Sequence, residues 1–273
     1  MTKILENRIK PYAERVIGEY QSGFRPGRST TDQLFSVKLI LQRCWEYNVN
    51  VYQIFVDFKQ AYDSIDRGVL YNIMLQFGIP AKLVRLTKMT MTNSVSQVRI
   101  QNRLTDLFET RTGLKQGDGL APTLFNLALE YVIRAMNMDN SKTLLIKSTQ
   151  LAAYADDINI MSRRLADAEE LLHTLDTAAK EVGLRINEGK TKIMMQSVTR
   201  TPAQPSINVG DLNIEFVNNF IYLGCNLSRD ANETDEIKRR IQLPNKTFFS
   251  VLPIIKSKHV HGNTKLRTYK TII

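Results

Sequence analysis

This chain has few of the residues that cross-link small domains or bind soft metals. Cys44 and Cys225 are the only cysteines in 273 residues. They stand far apart with no His/Cys cluster, so neither a disulfide framework nor a zinc site is indicated. A reducing, intracellular setting is expected, nucleus or cytoplasm rather than secretion. There are only three histidines, and His173, on a helical stripe with no second histidine nearby, reads as a surface or locally bonded side chain rather than a ligand. No apolar stretch approaches the length of a membrane span, so no membrane partner is expected. Residues 1–10, Met-Thr-Lys-Ile-Leu-Glu-Asn-Arg-Ile-Lys, are charged throughout and lack the apolar core of a signal peptide. No tandem repeat or low-complexity tract is visible.

What is present suits a folded enzyme-sized unit. At 43% hydrophobic residues the chain can bury a core, and its length fits one large domain with a smaller appendage. Lys and Arg number 37 against 27 Asp and Glu, a formal charge of +10, with a sequence pI near 9.6. Such an excess suits a polyanion such as nucleic acid, although a solvated basic surface gives the same total.

Periodicity places the elements. Ile4, Leu5, Ile9, Tyr12 and Val16 predict a helix over residues 3–16. The segment Gln21-Ser-Gly-Phe-Arg25-Pro-Gly-Arg28-Ser-Thr30 reads as a loop whose two arginines suit phosphate contacts or an ordinary basic turn. Ser29 and Thr30 precede Asp32 and Gln33 at capping spacing, and the stripe Leu34, Val37, Leu41, Cys44 and Trp45 predicts a helix to about Tyr47. Residues 51–58, almost continuously apolar, read as a buried central strand ending in Asp57. Asp66 precedes a helix closed by Gly78, and Pro80 opens another to about Met91. Residues 94–101 and 105–110 predict a two-stranded ribbon turning at Asn102-Arg103. A glycine-rich loop, residues 112–122, leads into an apolar helix expected from Thr123 to about Met136. It lacks the Gly-Lys-Ser/Thr of a Walker loop, and its glycines suit either close approach of backbone to an anionic ligand or a plain linker.

Further on, Leu165 to Val182 outlines an amphipathic helix ended by Gly183. Two lysines, Lys190 and Lys192, stand at the start of the next strand. Residues 199–205 read as a surface loop, 207–209 and 212–216 as a hairpin across Gly210-Asp211, and 220–225 as one strand. A helix is expected near Asn232, with Pro244 ending or kinking it.

The most distinctive stretch is Leu151-Ala-Ala-Tyr154-Ala-Asp156-Asp157-Ile-Asn-Ile-Met161, an apolar run with two adjacent carboxylates at its centre. Strand-favouring flanks around Ala-Asp-Asp predict a hairpin whose tight turn carries both acids. Neighbouring side chains of a straight strand point to opposite faces, so a turn is needed to aim both into one pocket. Two carboxylates that close repel one another unless a cation lies between them, and hard oxygen ligands favour Mg²⁺ or Mn²⁺. A simple polar turn is the other reading of these residues.

Several such words occur in register along the chain: Gln21-Ser-Gly-Phe-Arg-Pro-Gly-Arg-Ser-Thr30, Phe55-Val-Asp57-Phe58-Lys-Gln-Ala-Tyr62-Asp63, Gly113-Leu-Lys-Gln116-Gly117-Asp118 with Pro122-Thr-Leu-Phe125-Asn126, Tyr154-Ala-Asp156-Asp157, Gly183-Leu-Arg-Ile-Asn187 with Lys190-Thr-Lys192, and Tyr222-Leu223-Gly224. Their order resembles the reverse transcriptase palm, and among such enzymes that of non-LTR, LINE-type retrotransposons. The resemblance implies an α+β fold, a right-hand polymerase palm with an antiparallel sheet and helices packed on one face. It also implies an RNA-directed DNA polymerase acting on an RNA template, a DNA primer and dNTPs; protein partners are not indicated.

By position, Asp57, Asp156 and Asp157 match the aspartates that hold two Mg²⁺ (or Mn²⁺) ions, and Lys190 a lysine that protonates pyrophosphate. Phe58, Tyr62, Gln116 and Gly117 match the nucleotide site, with Tyr62 excluding a ribose 2′-OH; the bland role for Tyr62 is core packing. Arg25, Arg28, Tyr222, Leu223 and Gly224 match the template and primer contacts. Against the family pattern the chain starts after the finger strands and stops within the thumb. The expected division is residues 1–50 as residual fingers and template-side helices, 51–200 as palm, and 201–273 as palm end and partial thumb. Two functional readings follow: an active polymerase, or a catalytically inactive retroelement fragment that at most binds nucleic acid. An RNA-directed RNA polymerase is a third, opposed by Tyr62.

Overall fold

The structure, a computed structural model, describes residues 2–101, 103–138, 144, 148–198 and 205–272. The loop expected over residues 199–205 falls outside these except for Pro205, as does Asn102 of the ribbon turn. Two helices, α1 (Thr2–Val16) and α2 (Thr30–Glu46), precede strand β1 (Val51–Val56). Ser29 caps α2 by accepting from the Asp32 backbone N–H at 3.1 Å, as its spacing suggests. After β1 come a single turn, α3 (Ala61–Ser64), then α4 (Arg67–Gln76) and α5 (Ala81–Met91). Asp66 caps α4 through the Val69 N–H.

The ribbon is broken into two short pairs, β2 (Val95–Ser96) with β5 (Phe108–Glu109) and β3 (Arg99–Ile100) with β4 (Arg103–Leu104). Helix α6 (Leu120–Ala135) is followed by the hairpin β6 (Thr149–Tyr154) and β7 (Asp157–Ser162), then α7 (Leu165–Glu181) and β8 (Lys192–Gln196). Strands β9 (Ser206–Val209), β10 (Leu212–Phe216), β11 (Asn219–Tyr222) and β12 (Cys225–Ser228) lead to α8 (Thr234–Lys256) and α9 (Gly262–Ile272).

One six-stranded sheet, in the order β6-β7-β1-β8-β10-β9, organises the fold. It is antiparallel except for the β8–β10 pair. Strand β1 is central, and its side chains alternate between two cores: Ile54 and Val56 join α6 and α7 in the larger one, while Val51 and Phe55 face a second formed with α2 and the β11–β12 hairpin. Both faces of β1 are thus buried, which accounts for its near-continuous apolar run. The larger core is filled by α6, whose Leu124, Phe125, Leu127 and Leu129 are fully buried.

Three expectations change, and one helix is new. Helix α6 begins at Leu120, three residues early, because Pro122 lies in the first turn, where a missing N–H removes no helical bond. Residues 220–225 are not one strand: Leu223 and Gly224, both at positive φ, turn the chain between β11 and β12. Of the two effects expected of Pro244, an end or a kink, the end does not occur: α8 runs through it and through Pro253 to Lys256. The carbonyl that Pro244 leaves unpaired belongs to Arg240, which is exposed, so water can satisfy it. Helix α9 had no counterpart in the sequence reading. Among the described residues no helix is long and apolar enough to cross a membrane.

Candidate active site

The sheet register brings the acids together. Val56 of β1 pairs with Ile158 of β7. One step further along this antiparallel ladder sets Asp57 opposite Asp157, and cross-strand neighbours project from the same face. Asp156 is in the two-residue turn between Tyr154 and Asp157, with Ala155 at φ 54°. Asp57 and Asp157 therefore stand at one end of the sheet on the face that carries Phe55, with Asp156 in the turn beside them.

Their electrostatics follow from that placement. Burial raises the Asp156 carboxyl above its ordinary value, and the charge of Asp57 acts in the same direction against a backbone hydrogen bond. Asp157, open to solvent on one side, is pushed up to about 6 by burial of the other, then by Asp156 and by Asp57. Among the described residues, Lys190 is the one cation in ion-pair range of this group, 3.9 Å from Asp57 Oδ2 and itself well exposed. The donor set is thus all oxygen and in mutual repulsion, which fits a hard divalent cation. The acids sense one another without standing at ligand spacing: among the described residues no three acidic, imidazole or thiol groups form a ready ligand cluster.

Two segments hold the acids from outside the hairpin. The Asn187–Thr191 turn receives Asp57: Asn187 Nδ2 donates to Asp57 Oδ2 at 3.0 Å, the Asn187 N–H donates to the Asp57 carbonyl at 2.8 Å, and the Asp57 N–H donates to Thr191 Oγ1 at 3.2 Å. On the other side, residues 20–23 run along the β6 edge, where Ser22 N–H donates to the Ala153 carbonyl and Ala153 N–H to the Tyr20 carbonyl, both at 2.8 Å. Gln21, 1% exposed, grips the turn itself. Its Oε1 accepts from Ala155 N–H and Gly23 N–H, each at 2.8 Å, and its Nε2 donates to the Ala155 carbonyl at 3.2 Å. A Cβ on Gly23 would lie 2.1 Å from the Ala155 nitrogen, so only glycine permits this approach.

The glycine-rich loop packs against α3. Gly113, at φ 77°, brings its backbone so close that a Cβ would meet the Asp63 carbonyl oxygen at 2.5 Å. Its N–H donates to the Ile65 carbonyl, and Leu114 N–H donates to that of Tyr62. Arg67 fixes the loop's other side, donating to the carbonyls of Gly113, Met91, Thr110 and Thr112 at 2.7–2.9 Å. Gln116 donates from Nε2 to both carboxylate oxygens of Asp63 at 3.1 Å, while Gly117 is exposed and has open space where a Cβ would stand.

The remaining residues singled out in the sequence are distributed as follows. Tyr62 stacks on Phe125 with ring centroids 4.6 Å apart. Its hydroxyl is buried without a hydrogen-bond partner, and burial, then the nearby Asp156, hold its pKa well above the usual range. Phe58 is buried in the larger core and pairs by backbone with Ile186. Tyr222 is buried against Phe55, ring centroids 5.7 Å apart. Burial raises its pKa, Gln33 beside it opposes, and the charge of Asp157 adds to the rise.

Arg25 and Arg28 part company. Arg25 is buried, donating to Glu14 Oε2 and to the carbonyls of Gly18 and Gln21, whereas Arg28 is exposed and ion-paired with Glu19. Gln21, Arg67 and Asn187 were not assigned a role from the sequence. The first and last lay inside recognised words, and only their partners in space disclose what they hold.

Comparison with known proteins adds a family and a fold. A family model described as "Reverse transcriptase (RNA-dependent DNA polymerase)" matches residues 1–227. The Pol polyprotein from type-1 retrotransposable element R2 of Popillia japonica is 26% identical over 193 residues, 67% of this chain and 31% of that protein. The corresponding protein of element R2DM from Drosophila melanogaster is 26% identical over 170 residues, 62% of this chain and 16% of that protein. The chain therefore spans about a third or less of these relatives. Among solved structures, apo telomerase from Candida tropicalis superposes with a TM-score of 0.61 at 12% identity, covering 93% of this chain and 43% of that one, a likeness of fold.

Proposed function

The chain belongs to the reverse transcriptase (RNA-dependent DNA polymerase) family, with non-LTR retrotransposon proteins among its relatives, and on that premise we propose that it copies RNA into DNA at the site formed by Asp57, Asp156 and Asp157. The observation that carries this reading is the convergence of three mutually repelling carboxylates from β1 and the β6–β7 turn. These three residues would hold two Mg²⁺ or Mn²⁺ ions. Bound there, the cations would lower the pKa of a primer 3′-OH and offset the charge of the leaving pyrophosphate.

The chain's own residues do the positioning. In the transfer, the primer 3′-oxygen bonds to the α-phosphorus of a dNTP as the bond to pyrophosphate breaks. Asn187 occupies Asp57 Oδ2 and so leaves Oδ1 for a ligand. Gln21 and Gly23 fix the turn that carries Asp156. Lys190, exposed beside Asp57, is assigned to return a proton to the pyrophosphate. The Tyr62 ring, braced by Phe125, is assigned to meet the sugar and exclude a 2′-OH, with Phe58 supporting from the core beneath. Gln116 and Gly117 present the open side of their loop to the incoming nucleotide, and the Tyr222-Leu223-Gly224 turn lies on the primer side. Arg28 is assigned to the template, while Arg25, its guanidinium committed internally, serves the scaffold. In this reading residues 1–50 lie on the template side, 51–200 form the palm, and 201–273 its end and part of a thumb.

Primer extension on poly(rA)/oligo(dT) with Mg²⁺ or Mn²⁺ tests the assignment. Asp156→Asn should lower extension on the order of 10³-fold or more while the protein stays folded, because several kcal/mol of charge stabilisation are removed. Comparable activity in the variant contradicts the site. A wild type that binds the hybrid yet never extends it favours a nucleic-acid-binding role alone.

A further inference from the structure

Charge is unevenly distributed around this site. Between Asp66 and Asp106 the sequence contains no acidic residue, but six basic ones: Arg67, Lys82, Arg85, Lys88, Arg99 and Arg103. Arg67 is consumed by the loop carbonyls. The other five are exposed, and among the described residues none has an ion pair or side-chain hydrogen bond. Exposed arginines elsewhere divide: Arg43 is paired with Glu46 and Arg164 with Asp167, whereas among the described residues Arg8, Arg15, Arg185 and Arg267 have no side-chain partner, so what marks this face is the clustering of its five cations without an intervening acid.

Their arrangement has direction. Lys82, Arg85 and Lys88 recur every three residues along α5, a row about 9 Å long. Arg85 and Lys88 border a groove of about 500 Å³ between α4 and α5, whose other wall includes Tyr71 and Asn72. At its C-terminal end α5 abuts the glycine-rich loop, where Lys115 Nζ donates to the Thr90 carbonyl at 2.9 Å. That loop reaches Asp63 and Tyr62. A row of unpaired cations thus runs along α5 from the end that meets the glycine-rich loop, and Arg99 and Arg103 stand on the ribbon that leaves α5 at that same end.

We infer that the α4–α5 groove binds single-stranded RNA, Arg85 and Lys88 taking successive phosphates and Tyr71 and Asn72 meeting a base. This rests on the nucleic-acid-copying reading above. Cations beside an aromatic ring in an open groove suit a single strand, whose bases are free to stack, better than a duplex, which offers only its backbone. The row is distinct from the Arg25/Arg28 loop, which lies on the β6 side of the sheet.

The test is binding by fluorescence anisotropy over a salt series, with a single-stranded RNA and an RNA–DNA hybrid of equal length. Each phosphate contact to a single strand contributes about 0.7 to the slope of log K against log[salt], so Arg85→Gln/Lys88→Gln should flatten the RNA slope by about 1.4. Between about 50 and about 200 mM salt the variant should lose about sevenfold less affinity than the wild type. Arg43→Gln/Arg164→Gln removes equal charge from paired residues and should leave the slope near the wild-type value. An unchanged RNA slope in the groove variant overturns the inference, as does equal flattening on the hybrid or by the control pair. Extension by the wild type is measured alongside. Extension with an unchanged slope removes the groove and leaves the polymerase standing; a flattened slope without extension does the reverse.

Discussion

Asp157→Asn should make the cation-free protein more stable at neutral pH while destroying its response to divalent cations. Asp157 has its carboxyl pushed from 3.8 up to about 6 by burial, Asp156 and Asp57. Below the unfolded value the group is protonated in both states. Between the two values the folded state keeps a proton that the unfolded state has lost, so stability falls as pH rises through that window and the full penalty applies above it. The difference corresponds to about 3 kcal/mol if no solvent reached the group. Asp157 is exposed on one side, so screening reduces this to about 1 kcal/mol.

Replacing the carboxylate by an amide removes the repulsion, and the melting temperature at pH 7.5 in chelator should rise by about 2–4 °C. The same change should flatten the wild type's loss of stability between about pH 4 and 6. Added Mg²⁺ should raise the wild-type melting temperature, because a ligand that binds only the folded state stabilises it, and should do little for the variant. A variant less stable than wild type in chelator, with its Mg²⁺ response intact, would refute both the electrostatic account and the cation site.

Two further expectations concern the support of the site. Gln21→Leu strips partners from the Ala155 N–H, the Ala155 carbonyl and the Gly23 N–H, all buried, at about 1–3 kcal/mol for each group left unmet. Urea unfolding should show a loss of about 3 kcal/mol or more, and a loss under about 1 kcal/mol would mean that the turn holds itself. Tyr62→Phe removes a buried hydroxyl that has no partner, so stability should stay level or rise and sugar discrimination persist. Tyr62→Ala should instead raise rNTP incorporation relative to dNTP, and an unchanged ratio in an active variant would reduce Tyr62 to core packing on Phe125.

What could be read from the sequence was what depends on near neighbours. The strand-favouring flanks of Asp156 and Asp157 disclosed a hairpin, and Ser29 disclosed a helix cap, because a cap acts within three residues. The sheet register that sets Asp57 opposite Asp157 is a long-range fact, as are the grips of Gln21 on Ala155 and Asn187 on Asp57 across more than a hundred positions. Arg25 illustrates the limit: a guanidinium fits a carbonyl or carboxylate as well as a phosphate, and only the fold shows it buried against Glu14, Gly18 and Gln21. Pro244 failed as a stop signal because its cost falls on a carbonyl that water can reach. The turn at Leu223-Gly224 was missed because leucine rarely adopts a positive φ.

The central claim, that three sheet-end carboxylates make this chain an RNA-copying polymerase, is tested most directly with a mixed-sequence RNA template. A DNA primer annealed to it is offered all four dNTPs and Mg²⁺, then each mixture lacking one dNTP, and the products are sequenced. The account predicts DNA complementary to the template, stalling opposite the first base that calls for the withheld nucleotide, and no product in chelator. Extension that ignores the template, that proceeds in chelator, or that survives Asp57→Asn would contradict it.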